Sequence, residues 1–97
     1  RARGVDAVAV NPDPVPRRLR FLVGDTPFFQ RDEVDPADRL AVFTDCADQD
    51  RAGAKMRALY PRAHASFDHH LSNDSFGAVN FVDPRSSATA ELLAGLF

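Results

Sequence analysis

The sequence predicts an α/β fold, an open and mainly parallel sheet with helices on both faces. Three observations point there. Short apolar runs rich in Val and Phe alternate with stretches of helical period along the whole chain. The helical stretches have the length of βαβ crossovers, which feed strands running the same way. Two of the strand-like runs end in Asp45 and in Asp68-His69-His70, and one helix separates them.

Taken in order, "VDAVAVN" (5–11) reads as a buried strand closed by the turn residues "NPDP". Asp13 is then the expected N-cap, with Pro14 at the first helical position. The helix over 14–23 carries Val15, Leu19 and Leu22 on one face, its three arginines elsewhere, and Gly24 as its stop. "TPFFQ" is a short edge strand. "RLAVFTD" (39–45) is a strong buried strand, and "DRAGAKMRALY" (50–60) a helix with Ala52, Met56 and Leu59 in one stripe and Pro61 behind it. "AHASFD" (63–68) is the next strand, "GAVNFVD" (77–83) a weaker one, and "SSATAELLAGLF" the closing helix. Ser87 can cap that helix, but Glu91 stands one residue too far for a capping box. The strands near 5–10, 39–44 and 63–67 are expected to share one sheet.

Composition narrows the function. The chain has 97 residues, enough for one domain, of which 44% are hydrophobic and 27% charged. A net charge of −2 argues against DNA binding through bulk electrostatics. Of the 12 basic residues only Lys55 is lysine. The single Cys46 cannot make an internal disulfide, which favours a reducing, cytoplasmic setting. No apolar run approaches the ~20 residues of a membrane span, so no membrane partner is expected. The chain opens on Arg and stops inside the apolar "ELLAGLF", which reads as an internal piece of a longer protein.

In a right-handed βαβ unit, residues just past the carboxyl ends of neighbouring strands gather at one edge of the sheet, where open α/β folds bind ligands. Asp45 and His69 are therefore expected a few Å apart, a spacing at which a carboxylate and an imidazole hold a divalent cation. The same residue types also build plain hydrogen-bond networks, and an Asp after a strand is often a cap or turn residue. His64 lies early in its strand, at the opposite end, and reads as structural. Cys46 lacks a paired base and reads as a small buried residue. "DQDR" (48–51) reads as a helix start with acids in its first turn.

The blocks "FTDCADQDRAG", "FDHHLSNDSFGAVNFVDP" and "SSATAELL" resemble, in order, the second, third and fourth blocks of the DHH phosphoesterases. With "NPDPVPRRLRFLVG", the chain is most similar to the branch of bifunctional oligoribonucleases and 3′-phosphoadenosine-5′-phosphate phosphatases. The resemblance covers essentially the whole chain. It implies a partial catalytic domain that, when complete, holds two divalent ions, Mn²⁺ by preference, with Co²⁺, Mg²⁺ or Zn²⁺ as alternatives. Asp45 and His69 would be metal ligands. His70 would face the phosphate and Asp68 would orient the histidines or sit beside the metals, the two forming the catalytic pair. Asn73, Arg51 and the serines of "SSATAE" would contact substrate or hold the loops.

Two ions roughly 3.5–4 Å apart lower the pKa of a shared water and neutralise charge in an in-line displacement at phosphorus. The implied substrates are short single-stranded RNA or DNA and nucleotide phosphates, and a homodimer of the full-length protein is a further implication. The family's first block, a His followed by two Asp, has no counterpart in these residues, nor has its later metal-binding Asp or its C-terminal substrate domain. The 97-residue piece alone is therefore expected to be inactive. A cyclic-dinucleotide phosphodiesterase, a pyrophosphatase-like enzyme and a non-catalytic nucleotide-binding module are the competing readings.

Overall fold

Phe43, Ser66 and Asp68 alternate with exposed or half-buried neighbours along two short strands, and this period of two sets which face of the sheet is buried. A computed structural model describes residues 4–96, so Phe97, counted above in the closing helix, lies outside them. The fold is α/β, and the strand pairs among the described residues are all parallel. It comprises two compact units, Arg1–Asp35 and Pro36–Phe97.

In the first unit, β1 (Ala9–Asn11) pairs in parallel with β2 (Phe28–Gln30), Val10 opposite Phe29. The crossover is a 3-10 turn over Arg17–Leu19 running into α1 (Arg20–Val23), which Gly24 ends as expected. The helix does not start at Asp13 and Pro14. Pro16 excludes Val15 from the helical region, so the first helical residue is Arg17, with Pro16 as its cap at ψ 139°. Among the described residues β1 and β2 form a sheet of their own, so the single sheet expected of the strands near 5–10, 39–44 and 63–67 is divided in two.

The second unit holds the three-stranded parallel sheet, in the order β3 (Val42–Thr44), β4 (Ala65–Asp68) and β5 (Val79–Val82). Ser66 is in register with Phe43 on one side and Asn80 on the other, and Phe67 with Thr44 and Phe81. Among the described residues the buried apolar side chains are Phe43, Ala47, Met56 and Ala63, and Phe76 meets Phe43 edge to face at 5.4 Å. On the opposite face Phe67 and Phe81 stack at 5.0 Å.

The predicted helix over 50–60 is broken. A 3-10 turn (Gln49–Ala52) leads to Gly53 at φ 90°, ψ 151°, and α2 (Ala54–Leu59) begins only then. That backbone conformation suits glycine alone, so the chain bends where helical period continues on paper. Asp48 caps the 3-10 turn by accepting from the Arg51 N–H, with Asp50 in the first turn, as the "DQDR" stretch foretold. α3 (Thr89–Leu96) packs against β4. Ser87 does not cap it in the usual sense. Its N–H and hydroxyl both donate to Glu91 Oε2, at 2.7 and 2.8 Å, so the acid reaches back over four residues instead of three.

Gly77 shows a different constraint, close approach. A Cβ there would stand 2.9 Å from the Val79 carbonyl and 3.0 Å from the Ser66 nitrogen, both backbone atoms of the sheet. Gly77→Ala is expected to cost about 1–3 kcal/mol in a thermal melt, since neither atom can yield without moving a strand. Gly95→Ala in α3, where a Cβ meets nothing within 4 Å, is expected to leave the melt unchanged or raise it.

Candidate metal centre

β3 ends and the chain turns sharply at Asp45, which sits at φ 62° while its N–H still donates to the Phe67 carbonyl at 2.9 Å. β4 ends one strand away at Asp68, so the parallel register delivers Asp45 and His69 to the same edge. Asp45 Oδ1 lies 3.6 Å from His69 Nε2. Asp45, His69 and His70 each offer a ligand atom, all within 4.8 Å of one another, so His70, expected to face the phosphate, stands beside the two expected ligands as a third candidate.

The hydrogen bonds fix how the imidazoles present themselves. His69 Nδ1 lies 3.2 Å from the Ser86 carbonyl, an acceptor, so Nδ1 carries a proton and the neutral ring presents its Nε2 lone pair toward Asp45. His70 Nδ1 donates to Asp68 Oδ1 at 2.7 Å, which leaves its Nε2 free as well. Each ring is thus fastened by one nitrogen and available at the other, the arrangement that metal-ligating histidines require. A lone pair and a carboxylate oxygen facing each other repel unless a proton or a cation lies between them. Ligands about 2.0–2.2 Å from one ion stand roughly 3–3.5 Å apart, close to the Asp45–His69 spacing. Three N and O donors suit one borderline divalent ion and leave positions open for water or substrate.

Asp68 is fully buried and acts from behind this cluster, not on a reacting atom. Its Oδ1 accepts from the His69 N–H at 2.8 Å as well as from His70, and its Oδ2 accepts from Asn73 Nδ2 at 2.7 Å. Burial pushes the Asp68 carboxyl up, but the hydrogen bonds from Asn73, His70 and the backbone outweigh it and hold the group below the usual carboxylate range. A carboxyl with a depressed folded-state pKa stabilises the fold fully above its unfolded value, about 3.9, and loses that contribution as pH falls through the folded value. In chelator-treated protein, acid unfolding followed by circular dichroism should therefore draw on Asp68 only below about pH 3.9. Asn73→Ala, which removes one of the donors, should move that loss to higher pH.

Asn73 holds loops together. Its amide donates to Asp68 and, at 3.0 Å, to the Cys46 carbonyl, while its Oδ1 accepts from the Ser75 N–H. Both amide hydrogens are spent, so no donor is left for substrate. Arg51 is exposed and paired with Asp48 at 3.5 Å, and it does not line the hollow beside the cluster. That hollow, about 330 Å³, is lined by Thr44, Asp45, His69, Ala88, Thr89, Ala90 and Leu93.

Cys46 is half-buried instead of fully buried, with its thiol 3.6 Å from the Thr44 carbonyl. Burial, reinforced by the carboxylates of Asp45, Asp68 and Asp48, pushes that thiol up, which opposes a nucleophilic thiolate. His64 belongs to the other end of the sheet, where its Nδ1 accepts from the Ala41 N–H at 3.0 Å. Two contributors were not assigned from sequence. The Ser86 carbonyl orients His69, and the buried Thr89 hydroxyl donates to Asp45 Oδ1 at 2.7 Å. A backbone carbonyl leaves no trace in residue type, whereas Thr89 stood in a quoted block without a role.

No known protein-family model matches the chain. No helix among the described residues is long and apolar enough to cross a membrane.

Proposed function

We propose that this chain is part of a DHH-type phosphoesterase whose Asp45, His69 and His70 hold a divalent cation, Mn²⁺ by preference. The observation that carries this reading is the convergence of three ligand atoms within 4.8 Å, with both imidazoles tied at Nδ1 to oxygen acceptors. When bound, the cation supplies Lewis-acid polarisation of a phosphoryl oxygen and acidifies water at neutral pH. The residues do the rest. Asp68, itself held by Asn73, fixes the His70 ring and makes Nε2 a stronger donor. Asp45 brings the negative charge that selects a cation. The open hollow flanked by Ala88, Ala90 and Leu93 offers room for a phosphate beside Asp45 and His69.

Three side chains suffice for one ion, and a second requires ligands from outside this cluster. The family's His-Asp-Asp block would supply them, and these 97 residues do not contain it. The substrates that fit the resemblance are short single-stranded oligonucleotides and adenosine 3′,5′-bisphosphate, in a cytoplasmic enzyme.

The test is hydrolysis of both substrates by the protein that carries this chain, with Mn²⁺ and with chelator. Release of mononucleotide or inorganic phosphate that needs Mn²⁺ is expected. Cleavage confined to cyclic dinucleotides or pyrophosphate would replace this substrate assignment. Binding of nucleotide without turnover would favour the non-catalytic module.

A further inference from the structure

We propose that Thr89 is a positioning residue for Asp45, presetting the carboxylate toward His69 before any cation arrives. This rests on the reading of Asp45 and His69 as cation ligands.

Asp45 is the least constrained member of the cluster. Its side chain is 62% exposed, and an exposed carboxylate on a turn exchanges among rotamers unless something holds it. Thr89 is that hold. It is 4% exposed, opens α3, and is anchored by the packing of α3 on β4. A threonine at a helix start commonly accepts from its own helix's backbone. Here the hydroxyl donates at 2.7 Å to an acid 44 positions away. The nearby Ser87 hydroxyl offers no alternative, being spent on Glu91.

The oxygen that receives the bond is also informative. Thr89 donates to Oδ1, the oxygen that lies 3.6 Å from His69 Nε2. A hydroxyl donor takes one lone pair of a carboxylate oxygen and leaves the other for a cation. The bond therefore fixes Oδ1 without using up its capacity as a ligand. It also makes the placement of α3 part of the site's geometry.

Two readouts test this on the full chain. One is the Asp45 χ1 distribution, from three-bond couplings of its Cγ to backbone N and C′, which needs no metal. The other is Mn²⁺ affinity from the electron paramagnetic resonance signal of free Mn²⁺. Wild type should show one Asp45 rotamer. Thr89→Val, which keeps the shape and removes the hydroxyl, should average the rotamers and weaken Mn²⁺ binding about 10- to 100-fold. Thr89→Ser should restore both, and Thr89→Ala serves if the valine variant fails to fold.

An unchanged Asp45 rotamer in Thr89→Val and Thr89→Ala would overturn the proposal. So would rotamer averaging with Mn²⁺ affinity intact. Asp45→Asn separates the two layers. If Mn²⁺ binding is absent in wild type or indifferent to Asp45→Asn, the cation site itself is wrong, and the coupling measurement still decides whether Thr89 holds Asp45.

Discussion

Asp45→Asn is expected to lower Mn²⁺-dependent phosphoester hydrolysis by roughly two orders of magnitude or more, with the fold intact. The fold survives because Asn is one of the few residues that tolerates the left-handed backbone of Asp45, φ 62°. Its amide oxygen still accepts from Thr89, so α3 keeps its neighbour. What disappears is the negative charge facing His69 Nε2, and with it the attraction for a cation. The melting temperature should move by no more than a few degrees while activity collapses. His69→Ala should act similarly, partly recovering at high Mn²⁺ because an imidazole lost from a site is first a loss of affinity. His64→Ala should leave turnover alone, since that ring is engaged with Ala41 at the far end of the sheet. Equal losses at His64 and His69 would point to general damage instead of a cation site.

Asp68→Asn is expected to damage the fold itself. The carboxylate is fully buried and serves as acceptor on both oxygens. An amide in its place has one accepting end only. If its oxygen stays with His69 and His70, its NH₂ meets the NH₂ of Asn73. Asn73 cannot turn round to relieve this, because its amide also donates to the Cys46 carbonyl and its oxygen accepts from Ser75. An opposed pair of buried donors, together with the loss of a charge-assisted acceptor, costs about 3 kcal/mol. In a unit of this size that lowers the melting temperature by roughly 10–25 °C. Asn73→Ala should cost less, since the carboxylate keeps its bonds to His69 and His70. A melt of Asp68→Asn within a few degrees of wild type would mean that the buried network is not what holds the two strand ends together.

The strands ending in Asp45 and Asp68 were legible because each combines an apolar run with polar residues at its carboxyl end. Parallel pairing then followed from the helix between them, and the meeting of Asp45 with His69 followed from parallel pairing. Helix boundaries were less legible. The stripe of Ala52, Met56 and Leu59 continues smoothly through Gly53, and only the backbone angle at that glycine shows the break. Pro16 did carry its signal, since it bars Val15 from a helix, but the Asp13-Pro14 pair upstream offered a competing start. The pairing of β1 with β2 depends on contacts that residue periodicity does not encode. Within the site, residue type singled out Asp45 and His69 as candidate ligands, but it set His70 toward phosphate and named neither the Ser86 carbonyl nor Thr89 as a support. Asp68 lies beside two histidines in sequence, and only its burial separates a positioning group from a ligand.

The most direct test of the cation site is the nitrogen-15 spectrum of the three histidines during titration with Zn²⁺, a diamagnetic stand-in for Mn²⁺. Zn²⁺ should shift the Nε2 resonances of His69 and His70 to metal-bound values while their Nδ1 atoms remain protonated. The hydrogen bonds to the Ser86 carbonyl and to Asp68 demand that pattern. His64 should not respond, and Asp45→Asn should weaken the response at His69. Coordination through Nδ1 of either ring, or shifts at His64 alone, would contradict the site as built from Asp45, His69 and His70.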